Sequence, residues 1–166
     1  MTATLHVIFG PSGAGKTTYA LGFARREKVV PFILDEWLAN LFAPDMPDPI
    51  EYEWMIERVQ RCEQQIWSAA AGCLAAGTPV ILDIGLMTRA DRARVREIAD
   101  GAGLPLQFHF VTAPAEARRA RVAERNMVKG ENFAIEVRPE HFDFIEGVFE
   151  PPEPSELEGA IISESA

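Results

Sequence analysis

Short apolar runs alternate along this chain with longer stretches whose apolar residues return every third or fourth position. Leu5-His6-Val7-Ile8-Phe9 closes a run over residues 3–9 that reads as a buried strand. After a glycine-rich turn, Tyr19, Leu21, Phe23 and Ala24 begin a helical pattern that runs to about Lys28, with Arg25, Arg26 and Lys28 at the end where cations suit the helix dipole. Residues 29–34 make a second strand, with Pro31 near its start where a missing N–H costs least, and the run ends at Asp35. A short helix over 36–42 follows, then a loop over 43–49 that Pro44, Pro47 and Pro49 keep out of helix.

The longest helical pattern covers residues 50–76. Met55, Val59, Cys62, Ile66, Ala69 and Cys73 form its buried stripe, and Trp54, Arg58, Arg61 and Gln65 a second face. Val80-Ile81-Leu82-Asp83-Ile84 is a third strand, Thr88 with Asp91 offers a capping box to a basic helix over 89–102, and residues 106–111 form a fourth strand. Pro114 opens a helix that carries Arg118, Arg119, Arg121 and Arg125. A polar segment over 126–138 hinged at Gly130, a helix over 139–149, an acidic proline-rich loop over 150–158 and an edge strand over 160–163 complete the chain. Strands separated by helical patterns are βαβ units. The pattern therefore predicts a single α/β domain over 1–166, a parallel sheet with helices on both faces. Ligands of such sheets gather beyond the strand C-termini, where Gly10, Asp35 and Asp83 all fall.

Composition narrows the function classes. No apolar run nears the ~20 residues of a membrane span, and the N-terminus lacks a charged segment followed by a long apolar one, so no membrane partner and a cytoplasmic location are expected. Cys62 and Cys73, on one helix face about three turns apart, are too far apart to bridge and read as free thiols in a reducing compartment. The formal net charge of −9 argues against wrapping DNA or RNA, though a nucleic-acid end in a local basic pocket stays open.

The turn after the first strand is Gly10-Pro11-Ser12-Gly13-Ala14-Gly15-Lys16-Thr17, which fits G-x-x-x-x-G-K-[ST] in its required strand–loop–helix setting. Such a loop turns several backbone N–H groups toward an anion, and the helix after it aims its positive end at the same point. The cradle, from Gly10 through Ser12, Gly13, Ala14, Gly15, Lys16 and Thr17 to Thr18, predicts binding of a nucleoside triphosphate, with Lys16 at the β/γ-phosphates and the Thr17 hydroxyl on Mg²⁺. Asp35 suits the general base that accepts a proton from an attacking hydroxyl; the other reading is a helix N-cap. Asp83 suits a Mg²⁺ ligand; the other reading is a strand-end turn residue, with Gly85 beyond it allowing close approach. Arg121 and Arg125, one turn apart, suit the charge that spreads over a transferring phosphoryl group, whereas Arg118 and Arg119 read as a solvated basic face. Lys129 and Arg138 could join them if the 126–138 segment closes as a lid. Trp37, Trp54 and Arg58, with Arg89 at the start of the next helix, are the candidates to contact the acceptor. His109 reads as a strand residue rather than a catalyst, and His6 and His141 give no cluster.

The loop, Asp35, Asp83 within VILDIG, and Arg121-x-x-x-Arg125-Asn126 ahead of GENFAIEV together resemble the P-loop kinases of the AAA_33 kind, relatives of zeta toxins, chloramphenicol phosphotransferase and the polynucleotide 5′-kinase domain. The similarity spans about Leu5 to Phe149. It implies a P-loop NTPase three-layer α/β/α sandwich of the nucleoside/shikimate kinase type, with a five-stranded parallel sheet and the loop strand central. It also implies ATP and Mg²⁺ as cofactors, Lys16 and Thr17 at phosphate and metal, Asp35 as the base, and Arg121 and Arg125 as lid arginines. Polynucleotide kinases follow that aspartate with an arginine three residues on; here the place holds Leu38, which weakens the nucleic-acid reading. The expectation is a kinase that moves the ATP γ-phosphoryl group to a hydroxyl of a small molecule. The alternatives are a nucleotide-binding switch or slow ATPase that acts through a protein partner, and a polynucleotide or nucleotide kinase.

Overall fold

The computed structural model describes residues 3–128 and 139–165. Five strands form one sheet in the order β2-β3-β1-β4-β5, all parallel: β1 Leu5–Phe9, β2 Val30–Ile33, β3 Val80–Leu86, β4 Leu106–Thr112 and β5 Ile161–Glu164. The loop-bearing β1 is the middle strand, as the resemblance implies. Both faces are covered by helices, so the central strands are apolar on both sides rather than alternating. On one face Leu5, Val7, Phe9, Leu82 and Phe108 pack against α3 (Tyr52–Ala75) and α4 (Arg89–Gly101) through Ile66, Ala70, Val95 and Ala99. On the other, Ile8, Ile33, Ile81 and Val111 meet Ala20, Phe23 and Ala24 of α1 (Lys16–Glu27). Among the described residues the remaining α-helices are α2 (Leu34–Phe42), α5 (Ala115–Val128), α6 (Pro139–Val148) and α7 (Pro154–Leu157).

Several boundaries differ from the sequence reading for local physical reasons. The α2 helix begins at Leu34, so Asp35 lies in its first turn rather than at the strand end, and the N-cap is Ile33 with no side-chain cap. The buried stripe of α3 is Cys62, Ile66, Ala70 and Leu74, so Ala69 and Cys73 lie beside it. Leu74 enters the core and Cys73 packs at its edge. In β3 a register shift opposite Ile8 and Phe9 lets the strand run on to Leu86, with Gly85 at φ +70° supplying the left-handed bulge residue. A Cβ at Gly85 would meet nothing within 4 Å, so its backbone angle, and not a close approach, calls for glycine. The capping box of Thr88 and Asp91 forms as expected. The acidic 150–158 loop contains α7, and most of the predicted lid, with Lys129 and Arg138, lies outside the described residues.

The acidic loop is not free in solvent. Glu156 accepts from Arg92 Nε at 2.6 Å and Nη2 at 3.2 Å, while the Arg92 guanidinium, its side chain 2% exposed, also lies 5.0 Å over the Phe9 ring. The C-terminal segment is thereby tied to the sheet directly below the glycine-rich turn. Glu156, and likewise Glu146 beside Arg118, is held below the ordinary carboxylate value near 4.5, chiefly by the arginine hydrogen bonds. A carboxylate lowered in this way adds stability that is complete above its unfolded value and is lost as pH falls through the folded one. Glu156→Gln strands a buried guanidinium and should cost about 2–3 kcal/mol at neutral pH. The same substitution should flatten the acid limb of stability followed by denaturant titration. A variant as stable as the parent would show that the pair carries no load.

Candidate active site

Gly15, at φ +92°, is the residue before α1 and has no capping side chain; the first turn of α1 contains no acidic residue to compete with a bound anion. Gly10 tolerates no Cβ, because one built there would sit 1.9 Å from the Val111 carbonyl oxygen of β4. In this structure Lys16 Nζ folds back and donates to Pro11 O at 3.0 Å. The Thr17 hydroxyl donates to Asp83 Oδ2 at 3.0 Å, across from β3. The two residues that the sequence put forward for a metal thus meet at the rim, beside the lysine. Asp83 is buried, and that burial pushes its carboxyl above the ordinary value; Lys16 opposes the rise, whereas Asp35 and Glu36 add to it. Ile33 pairs with Asp83 across β2 and β3, so the first turn of α2 brings Asp35 and Glu36 to the same rim. Both are exposed. Among the described residues no three His, Cys, Asp or Glu side chains gather as a metal cage. A hard cation that keeps its waters and borrows phosphate oxygens needs no such cage, and one carboxylate with one hydroxyl fits Mg²⁺.

The arginines divide differently from the sequence reading. Arg118, expected on a solvated basic face, is buried beneath the loop and forms a two-pronged pair with Glu146. Its partner lies 28 residues away, so helical spacing carried no signal of it. Arg119 stays exposed and pairs with Asp143 at 2.8 Å. Arg121 donates to the Ser165 hydroxyl at 2.8 Å, and Arg125 keeps a buried Nε with no partner among the described residues. On the acceptor side, Arg58 lies 4.2 Å over the Trp54 ring and 5.9 Å over Phe42, and donates to Trp54 O and Glu57. It serves as a wedge between α2 and α3. Arg89 is exposed and paired with Glu150 and Glu153. Trp37 is half-buried, its ring 6.3 Å from that of Phe32.

His109 is a residue of strand β4, as expected, and His6 pairs with it. His109 is fully buried in β4, with Nε2 3.0 Å from His6 Nδ1 and Nδ1 2.9 Å from the Tyr19 hydroxyl of α1. Both contacts are satisfied with neutral rings, Tyr19 donating to His109 and His109 to His6. Adjacent strands β1 and β4 bring His6 beside His109, a pairing that only sheet order decides.

Three comparisons bear on this geometry. A family model described as AAA domain, AAA_33, matches residues 5–152. No curated protein matches the chain. Solved structures share the fold at low identity. A Chloroflexus aurantiacus protein with a provisional kinase designation superposes with a TM-score of 0.76 at 16% identity, over 99% of this chain and 89% of that one. The Mycobacterium tuberculosis APS kinase CysC, in complex with AMPPNP and APS, gives 0.62 at 19%, over 98% and 88%. A chain of the Pnkp1/Rnl/Hen1 RNA repair complex gives 0.65 at 18%, over 89% of this chain and 44% of that one.

Burial, with His6 alongside, lowers the His109 pKa from 6.5 to about 4. The neutral ring favours the fold, so its contribution is complete above 6.5 and is lost as pH falls toward that lower value. Imidazole resonances should show His109 neutral through the physiological range; titration near the ordinary histidine value would contradict the buried pair.

Proposed function

Because the chain belongs to the AAA_33 family, we propose that it is an ATP-dependent kinase that transfers the γ-phosphoryl group to a hydroxyl of a small molecule. The observation that carries the proposal is the Thr17–Asp83 contact at the mouth of the glycine-rich loop, with Lys16 next to Thr17 and Asp35 two residues past Ile33, the residue that pairs with Asp83. The triphosphate lies in the Gly10–Thr18 cradle, where Lys16 leaves Pro11 O for the β/γ-phosphates. Thr17 and Asp83 would hold Mg²⁺, which when bound neutralises charge on the phosphate oxygens. Asp35 accepts the proton of the acceptor hydroxyl as its oxygen bonds to the γ-phosphorus. The bond from that phosphorus to the β,γ-bridging oxygen breaks, and ADP leaves. Arg121 and Arg125 supply positive charge to the phosphoryl oxygens in flight.

The acceptor side is carried by Asp35 and Trp37, since Arg58 covers the Trp54 ring and Arg89 is paired with Glu150 and Glu153. Exposed carboxylates at Asp35 and Glu36, Leu38 where polynucleotide kinases place an arginine, and the net charge of −9 all favour a small, non-polyanionic hydroxyl compound. One structural neighbour belongs to an RNA repair complex, so a nucleic-acid 5′-hydroxyl is the second reading; it predicts salt-sensitive oligonucleotide binding. Among the described residues no helix is long and apolar enough to cross a membrane, and the free thiols Cys62 and Cys73 suit the reducing cytoplasm.

ADP release against a panel of hydroxyl compounds, with mass spectrometry of the product, tests the reading directly. Asp35→Asn should leave ATP binding nearly intact and slow transfer by about 10²–10⁴-fold. Transfer at the parent rate would remove Asp35 from the role of base. Lys16→Ala should weaken binding and turnover together, and unchanged activity there would overturn the site.

A further inference from the structure

We propose that Arg118 and Ser165 are positioning residues that grip two carbonyls of the glycine-rich loop from outside and so turn the next amides toward bound phosphate. The inference rests on nucleotide binding at this loop and goes beyond it, since neither residue belongs to the loop, the lid or the acceptor side. In a trans peptide the C=O and the following N–H point to opposite sides of one plane. Arg118 Nη1 donates to Ser12 O at 3.1 Å, so the Gly13 N–H faces away from the guanidinium. Ser165 Oγ donates to Ala14 O at 3.3 Å, which sets the Gly15 N–H in the same manner. Among the described residues neither amide has a protein partner, which leaves both for a ligand.

Each grip is itself held. Arg118 is 5% exposed; its Nε donates to Ala113 O at 3.0 Å, and its two terminal nitrogens donate to Glu146 Oε2 and Oε1, each at 2.6 Å. Five donors in a rigid plane can serve these four acceptor atoms at once, which the three donors of a lysine cannot do. Glycine at position 13 makes this approach achievable: a Cβ there would come 2.6 Å from Arg118 O. Ser165 receives a hydrogen bond from Arg121 Nη1 at 2.8 Å, which leaves its one proton for Ala14 O in preference to Thr112 O at 3.5 Å. Its backbone N–H donates to Thr112 O at 3.0 Å and anchors the residue beside β4. Helices α5 and α6 and the end of the chain therefore converge on two peptide planes of a loop more than a hundred residues earlier.

Calorimetry with inorganic tripolyphosphate and Mg²⁺ reads the cradle alone, and Mg·ATP kinetics read it in turnover. Ser165→Ala should weaken tripolyphosphate binding roughly three- to tenfold and raise KM for ATP with kcat nearly unchanged, since the loss falls equally on ground and transition states. Ser165→Thr should restore the affinity by returning the hydroxyl. Arg118→Met, which keeps the apolar stem, should weaken binding roughly tenfold or more if it folds, and Ser165→Ala decides the matter if it does not. Folded variants that bind tripolyphosphate as the parent does, or that lose only thermal stability, would overturn the positioning role while leaving the kinase reading intact. A parent protein that binds neither tripolyphosphate nor ATP would remove both.

Discussion

A loop that binds an anion through its amides has to dispose of its carbonyls, because a buried or anion-facing C=O without a donor costs free energy comparable to a lost hydrogen bond. The turn between β1 and α1 meets that constraint one carbonyl at a time. Pro11 O receives Lys16 Nζ and the Ala14 amide, Ser12 O receives Arg118, Ala14 O receives Ser165, and Gly15 O receives the Tyr19 amide. With these four carbonyls occupied by protein donors, the Gly13 and Gly15 amides remain for an anion. The glycines permit this division, and elements from the far end of the chain enforce it.

That enforcement explains the distribution of charge. The chain carries 25 acidic and 16 basic side chains, yet the two most buried arginines among the described residues, Arg92 and Arg118, sit beside the loop strand and the loop. Arg92 lies against Phe9 and draws in Glu156; Arg118 lies against Ser12 and draws in Glu146. A buried guanidinium is best matched by a two-pronged carboxylate, and each pair ties an acidic residue of the C-terminal segment to a helix beside the loop strand. Much of the acidic excess in residues 146–158 is counter-charge to α4 and α5, with Arg89 answering Glu150 and Glu153. Reading that stretch as a free acidic loop misses its partners because they lie on other elements.

The rim itself is built by the sheet. Five parallel strands with β1 in the centre put the end of β1, the Asp83 end of β3 and the first turn of α2 side by side, and the bulge at Gly85 lets β3 continue past the loop without displacing Asp83. Thr17 and Asp83 then meet although 66 residues separate them.

Much of this was legible in the residues alone. The strand–loop–helix signature has its own local chemistry, with glycine where φ is positive and lysine where a phosphate would sit, so spacing suffices to read it. The alternation of apolar runs with helical periods likewise predicts a parallel sheet, because parallel strands need crossover helices. Three-dimensional packing decided the rest. Asp35 moved into a helix because backbone hydrogen bonding begins at Leu34, and the α3 stripe shifted to Ala70 and Leu74 because the sheet selects which side of a helix it covers. The His6–His109 pair, the burial of Arg118 and the part played by Ser165 depend on which strands and helices become neighbours. Sequence spacing carries local periodicity, whereas contacts between segments a hundred residues apart are settled only when the whole core closes and each buried charge must find its partner.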